Sequence, residues 1–188
     1  MKHALQSFGL SLFIVLAFIV IGIGFLFGLD NPVPWIMIAI LVILPFVHNR
    51  MTRKHFVTWE ERFSVGIPSI DEDHKKLMSL INNLQSAILY PTDEAFERQA
   101  LQELVDYTQY HFQREERLMQ ENGYPDFEAH KQQHQKMIAR VQDFLAAYER
   151  DREGTVQEMT DFLKDWLIRH IAGTDQQYSA FLKEKGVQ

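Results

Sequence analysis

The sequence predicts an all-α protein: an up-down-up-down four-helix bundle preceded by a transmembrane helical hairpin. Three observations carry this. Charge is partitioned: residues 1–47 hold one basic residue, Lys2, and one acidic residue, Asp30, while nearly all other charge lies beyond Arg50. Beyond Ser69, apolar residues recur at three- and four-residue spacing in four runs joined by short turn segments, the pattern of amphipathic helices packed as antiparallel neighbours. Every histidine after residue 60 falls on an inward stripe of those runs.

Composition narrows the chemistry. The 188 residues leave room for one domain and an appendage. No cysteine is present, which excludes disulfides, zinc-thiolate sites and iron–sulfur clusters. The net charge of −6 argues against a nucleic-acid partner.

The N-terminal segment reads as membrane-spanning. Gly9–Leu29 is an uncharged, mostly apolar run of 21 residues, and about 20 such residues cross a bilayer core. A signal peptide is the rival, but the run is too long and no small-x-small cleavage site follows. Asp30–Pro34 breaks the helix, and a second run, Trp35–Val47, has 13 residues and reaches spanning length only with its flanks. Spans at about 9–29 and 33–48 are expected within residues 1–50, then a juxtamembrane linker over 51–57 and a soluble domain over 58–188. Lys2 before the hairpin and Arg50, Arg53 and Lys54 after it place both ends in the cytoplasm. Trp35 suits an interfacial anchor, and Gly22, Gly24 and Gly28 could form a close-packing face for self-association.

In the soluble part, Thr58–Ile70 reads as an extended arm whose Trp59 and Phe63 cover one end of the bundle. The first bundle helix runs from about Ser69 to Leu89, with His74, Leu77, Ile81, Leu84 and Ile88 on its stripe. Pro91-Thr92-Asp93 supplies a turn and a cap. The second stripe carries Leu104, Thr108, His111, Phe112, Glu115 and Met119. Asn122–Pro125 is a turn, and the third stripe carries Phe127, His130, His134, Met137, Val141 and Leu145. Arg152–Thr155 reads as the next break, and Val156, Met159, Leu163, Trp166, Leu167, His170 and Ile171 form the fourth stripe.

Ligand-type residues sit on these faces at helical spacing. His111 and Glu115 are four apart, as are His130 and His134, and residues one turn apart share a face. The intervening turn brings the pairs together. Five histidines and a buried carboxylate would each need a partner, and a metal provides one for all. Imidazole with carboxylate suits iron, zinc or manganese. His3, His48 and His55 have no spaced partner and read as solvated. Asp175 lies five residues after His170, off the ligand face of an unbroken helix, unless Gly173-Thr174 loosens the helix and turns it inward.

Taken together, Ile70–Leu77 (IDEDHKKL), HFQRE at 111–115, HKQQH at 130–134 and HIAGTD at 170–175 resemble the motif set of the hemerythrins, over about Thr58–Gly186. The resemblance implies a non-haem di-iron site that binds dioxygen reversibly. It assigns His130, His134 and His170 to one iron and His74 and His111 to the other. Glu115 and Asp175 then bridge the two, with an oxo or hydroxo group between, and one position stays open on the two-histidine iron. It also makes Phe112, Trp166, Leu167 and Ile171 walls of an oxygen pocket. No Glu-x-x-His pair of the di-iron oxidases occurs, and a histidine-rich donor set favours reversible binding over oxidation.

The expected protein is therefore a dioxygen binder of the bacterial inner membrane, its iron domain cytoplasmic, for sensing, storage or delivery to a membrane oxidase. It is more an oxygen-binding protein than an enzyme. The alternative is a di-iron enzyme reducing nitric oxide or peroxide at the same site. Sustained turnover with a reductant would separate them.

Overall fold

The computed structural model describes residues 2–53, 55–90 and 92–187. The chain divides into two compact units, Met1–Phe56 and Val57–Gln188, and no strand occurs among the described residues.

The first unit is two packed helices, α1 (Lys2–Leu26) and α2 (Pro32–Arg53). Gly28, at φ 108°, makes the turn between them in a conformation that side chains rarely tolerate. Asn31 ties the turn down: its Nδ2 donates to the Gly24 carbonyl at 3.0 Å, and its Oδ1 accepts from the Val33 amide at 3.1 Å. A Cβ on Gly24 would lie 2.5 Å from Pro34 Cγ, so this glycine alone of the three expected on a packing face serves close approach. Around Gly22 and Gly28 there is open space. Trp35 staples the hairpin, its indole N–H donating to the Leu29 carbonyl at 3.0 Å and its ring edge-on to Phe25.

This unit corrects the membrane expectation. Among the described residues no helix is long and apolar enough to cross a membrane. The 21-residue apolar run is not one helix, because α1 stops at Leu26 and Gly28 turns the chain. The second run is short and leads directly into His48, Asn49 and Arg50. The two spans, their orientation and the inner-membrane location are overturned. The side chains of Lys2, His3, Arg53 and Lys54, on which the orientation partly rested, lie outside the described residues. The hairpin exposes Phe8, Phe18, Leu26 and Phe46.

The second unit contains a short 3-10 turn (Glu61–Phe63) and five α-helices: α3 (Pro68–Leu89), α4 (Glu94–Asn122), α5 (Phe127–Tyr148), α6 (Arg152–Arg169) and α7 (Gln176–Glu184). A π-helical turn, His170–Asp175, joins α6 to α7. Pro68 starts α3, where its missing N–H has no intrahelical partner to lose. Asp93 caps α4 by accepting from the Phe96 amide at 2.7 Å. Gly123, left-handed at φ 69°, ends it. Pro91, part of the expected turn, lies outside the described residues.

The break expected at Arg152–Thr155 falls earlier, at Glu149–Asp151. Asp151 caps α6 through the Gly154 amide at 3.2 Å, so Gly154 belongs to the first turn, where a Cβ would meet the capping carboxylate. The arm before α3 is anchored as well as extended. Asn82 exchanges two hydrogen bonds of 2.8 Å with the Val57 backbone, and Phe63 is buried with Trp59 packed beside it. On α5 Phe144 is buried, whereas Leu145, expected on the stripe, is only half-buried.

The apolar interior forms two clusters. The larger includes Leu77, Ile81, Leu104, Met137, Leu163 and Leu167, and the smaller Ile70, Met119, Tyr178 and Leu182. Between them along the helices lie His74, His111, Glu115, His130, His134, His170 and Asp175, a buried polar layer inside an otherwise apolar bundle.

Candidate metal centre

Three helices and the π-turn supply this layer: His74 from α3, His111 and Glu115 from α4, His130 and His134 from α5, and His170 and Asp175 from the π-turn. All seven side chains that the sequence singled out as ligands come together, none more than 4% exposed. A π-helix closes its hydrogen bonds at i→i+5, so the five-residue spacing of His170 and Asp175 becomes one turn and both face inward.

On one side the imidazoles of His130, His134 and His170 converge. His134 Nε2 lies 3.1 Å from His130 Nε2 and 3.0 Å from His170 Nε2. Imidazole nitrogens this close together could share one ion, given metal–nitrogen bonds of about 2.1 Å. On the other side His74 and His111 meet ring to ring, their centroids 4.9 Å apart. The carboxylates face both sides. Asp175 Oδ1 lies 3.0 Å from His170 Nε2 and 3.7 Å from His130 Nε2, whereas Oδ2 lies 3.4 Å from His74 Nε2. Glu115 Oε1 faces His74 at 3.8 Å, and Oε2 faces His111 at 3.5 Å and His134 at 3.4 Å.

These contacts do not satisfy the groups involved. The Nε2 atoms of His74 and His111, Glu115 Oε2 and both oxygens of Asp175 are buried without a hydrogen-bond partner. Such atoms are costly inside a protein, and their convergence fits metal ions as the missing partners. Two groups of donors, Glu115 with His130, His134 and His170, and Glu115 with His74 and His111, are each compact enough to hold one ion.

The electrostatics agree. Burial disfavours charge on His74, but Asp175 and Glu115 outweigh it and raise its pKa to about 9. Burial lowers His170 to about 4, against the pull of the carboxylates. Glu115 is opposed by burial yet held well below the ordinary carboxylate range by the surrounding imidazoles.

The supporting residues carry no sequence signal of their own. Asp73 Oδ2 stands 3.5 Å from His111 Nδ1, and Oδ1 of the same carboxylate accepts from Tyr107 at 2.7 Å and from Arg114 at 3.2 Å. Burial raises the Asp73 pKa, but these partners, His111 first, bring it below the usual value. Glu116 Oε1 lies 3.0 Å from His134 Nδ1. The buried Tyr178 hydroxyl, its pKa pushed far up chiefly by burial, donates to Glu115. Sequence adjacency to a ligand, His74 for Asp73 and Glu115 for Glu116, would have been the clue, and a three-residue step from Asp175 for Tyr178.

Aromatic rings flank the donors. Phe112 stacks on His134 with centroids 3.7 Å apart and planes within 3°, and Trp166 stacks on His170 at 4.2 Å. Phe112, Trp166 and Leu167 line one small cavity. Ile171, expected with them, is fully buried but is not part of that lining. His48 and His55 are exposed, and neither is a member of these donor groups.

The family model described as "Hemerythrin HHE cation binding domain" matches residues 65–182. This chain belongs to the hemerythrin family. A bacteriohemerythrin of Stenotrophomonas maltophilia is 35% identical over 127 residues, covering 68% of this chain and 82% of its own. One of Methylococcus capsulatus is 32% identical, covering 67% and 96%. The wild-type hemerythrin crystal structure superposes with a TM-score of 0.61 at 33% identity, over 67% of this chain and 97% of that one. The hemerythrin domain here binds a di-iron centre, for which the donor groups are present.

Proposed function

We propose that the Val57–Gln188 unit binds dioxygen reversibly, with His130, His134 and His170 holding one iron and His74 and His111 the other. Glu115 and Asp175, each facing both groups of imidazoles, would span the pair. When bound, the irons supply the electrons and the open position that dioxygen requires. The chain's own residues do the rest. Asp73 and Glu116 orient His111 and His134 through their second nitrogens. Tyr178 holds the Glu115 carboxylate.

The observation that carries this reading is the apolar wall beside the donors. Phe112, Trp166 and Leu167 present no ionisable group there, and Phe112 and Leu167 are buried. Such a wall keeps out water and protons, which favours release of dioxygen unchanged over its reduction. A site of this kind suits storage, sensing or delivery of dioxygen. The test is the optical spectrum of the reduced, iron-loaded full chain under argon, then in air, then again under argon. Two irons per chain and a spectrum that returns to its starting form are expected. Irreversible change, or steady turnover with a reductant, would assign the site to catalysis instead.

A further inference from the structure

A second, larger cavity lies next to the small one. It has a volume of about 110 Å³ and is lined from α4, α5 and α6. It shares Leu104, Thr108, Met137 and Leu163 with the small cavity, about 10 Å³, that touches Phe112, Trp166 and Leu167. Exposed Gln109 and Gln142 stand at the outer end, and buried Val141 lies in the wall. The two cavities therefore form a continuous series of apolar linings from the surface of the α4–α5 face to the rings stacked on His134 and His170.

The lining decides the occupant. Among the described residues, no charged side chain contributes to either cavity. The Thr108 hydroxyl donates to the Leu104 carbonyl at 2.7 Å, so it is no free donor to a guest. A water needs two to four polar partners, whereas an apolar cavity of about 150 Å³ stays dry and accepts xenon. The inner cavity is about the size of one water-sized probe, and so acts as a constriction. We infer that the larger cavity is a docking site for apolar diatomic gas, and that dioxygen reaches the iron ligands from it through the constriction beside Met137 and Phe112. The entry role rests on the dioxygen-binding function proposed above, while the docking role does not. The competing route is an open groove of about 240 Å³ that reaches His170 beside Gln133, Arg169 and Thr174. Its mixed polar lining suits water and anions.

The test uses the iron-loaded full chain with Val141→Phe, which fills the outer cavity from a residue that the inner one lacks. Val105→Phe, from the half-buried α4 side, serves if the first variant fails to fold. Xenon NMR should show a bound site in the wild type that is lost in the filled variant. Dioxygen association and dissociation should both slow about tenfold or more, with equilibrium affinity and iron content unchanged. Absence of a xenon site in the wild type would overturn the inference, as would unchanged rates in a variant that excludes xenon, since gas would then enter by the polar groove. If the wild type takes up two irons but no dioxygen, the proposed function fails. The same comparison with nitric oxide then reads the route, and slowing supports it while unchanged rates overturn it.

Discussion

Asp73 and His111 come from neighbouring helices, and the Asp73 carboxylate, held by Tyr107 and Arg114, stands against the His111 ring nitrogen that faces away from Glu115. A carboxylate there fixes the tautomer and orientation of the imidazole and strengthens it as a donor. Asp73→Ala should lower iron affinity about 10–100-fold, with Asp73→Asn intermediate because it preserves shape. Glu116→Ala should do less, since the Glu116 side chain is 22% exposed and solvent can replace it. Chelator competition reads the order, and equal losses in all three variants would contradict it.

Tyr178→Phe should destabilise the folded chain by about 1–3 kcal/mol, because Glu115 is left buried with one partner fewer. Tyr90→Phe, at a 51% exposed position, is the control and should stay near zero. Urea denaturation distinguishes the two.

In the iron-free chain, stability should peak near pH 6.5 and fall on both sides. His74, raised to about 9, stabilises fully below its ordinary value of 6.5, and that contribution disappears as pH climbs through 9. His170, lowered to about 4, stabilises above 6.5, and its contribution disappears as pH falls toward 4. Each limb amounts to something on the order of 3 kcal/mol. Iron requires unprotonated imidazoles, so loading should remove the alkaline limb. Melting temperatures from pH 5 to 10, with and without iron, check this.

Much of this site was legible because helices impose a period. His111 and Glu115, and His130 and His134, announce themselves by four-residue steps, and Asn122–Pro125 announces the reversal between them. Asp175 was not legible from spacing, because a π-turn depends on what the segment closes around. Asp73, Glu116 and Tyr178 look like ordinary helix residues until the facing helix is in place. The helical hairpin was legible too, with its break at Asp30–Pro34 close to the observed turn, but hydropathy summed along the runs assigned it a membrane role that no described helix is long and apolar enough to fill.

The π-turn also governs the end of the chain. α6 and α7 are one helix with a phase slip, and the slip sets which side of α7 meets the bundle. With it, Tyr178 and Leu182 are fully buried beside Ile70 and Met119. Run straight through as α-helix, the same sequence would rotate Asp175, Tyr178 and Leu182 away together. Covering the ligands and fastening the tail are therefore one event, and α7 behaves as a latch. Proteolysis at Lys183 and Lys185 should report its state: iron, by holding Asp175 inward, should protect both bonds, and chelation should expose them.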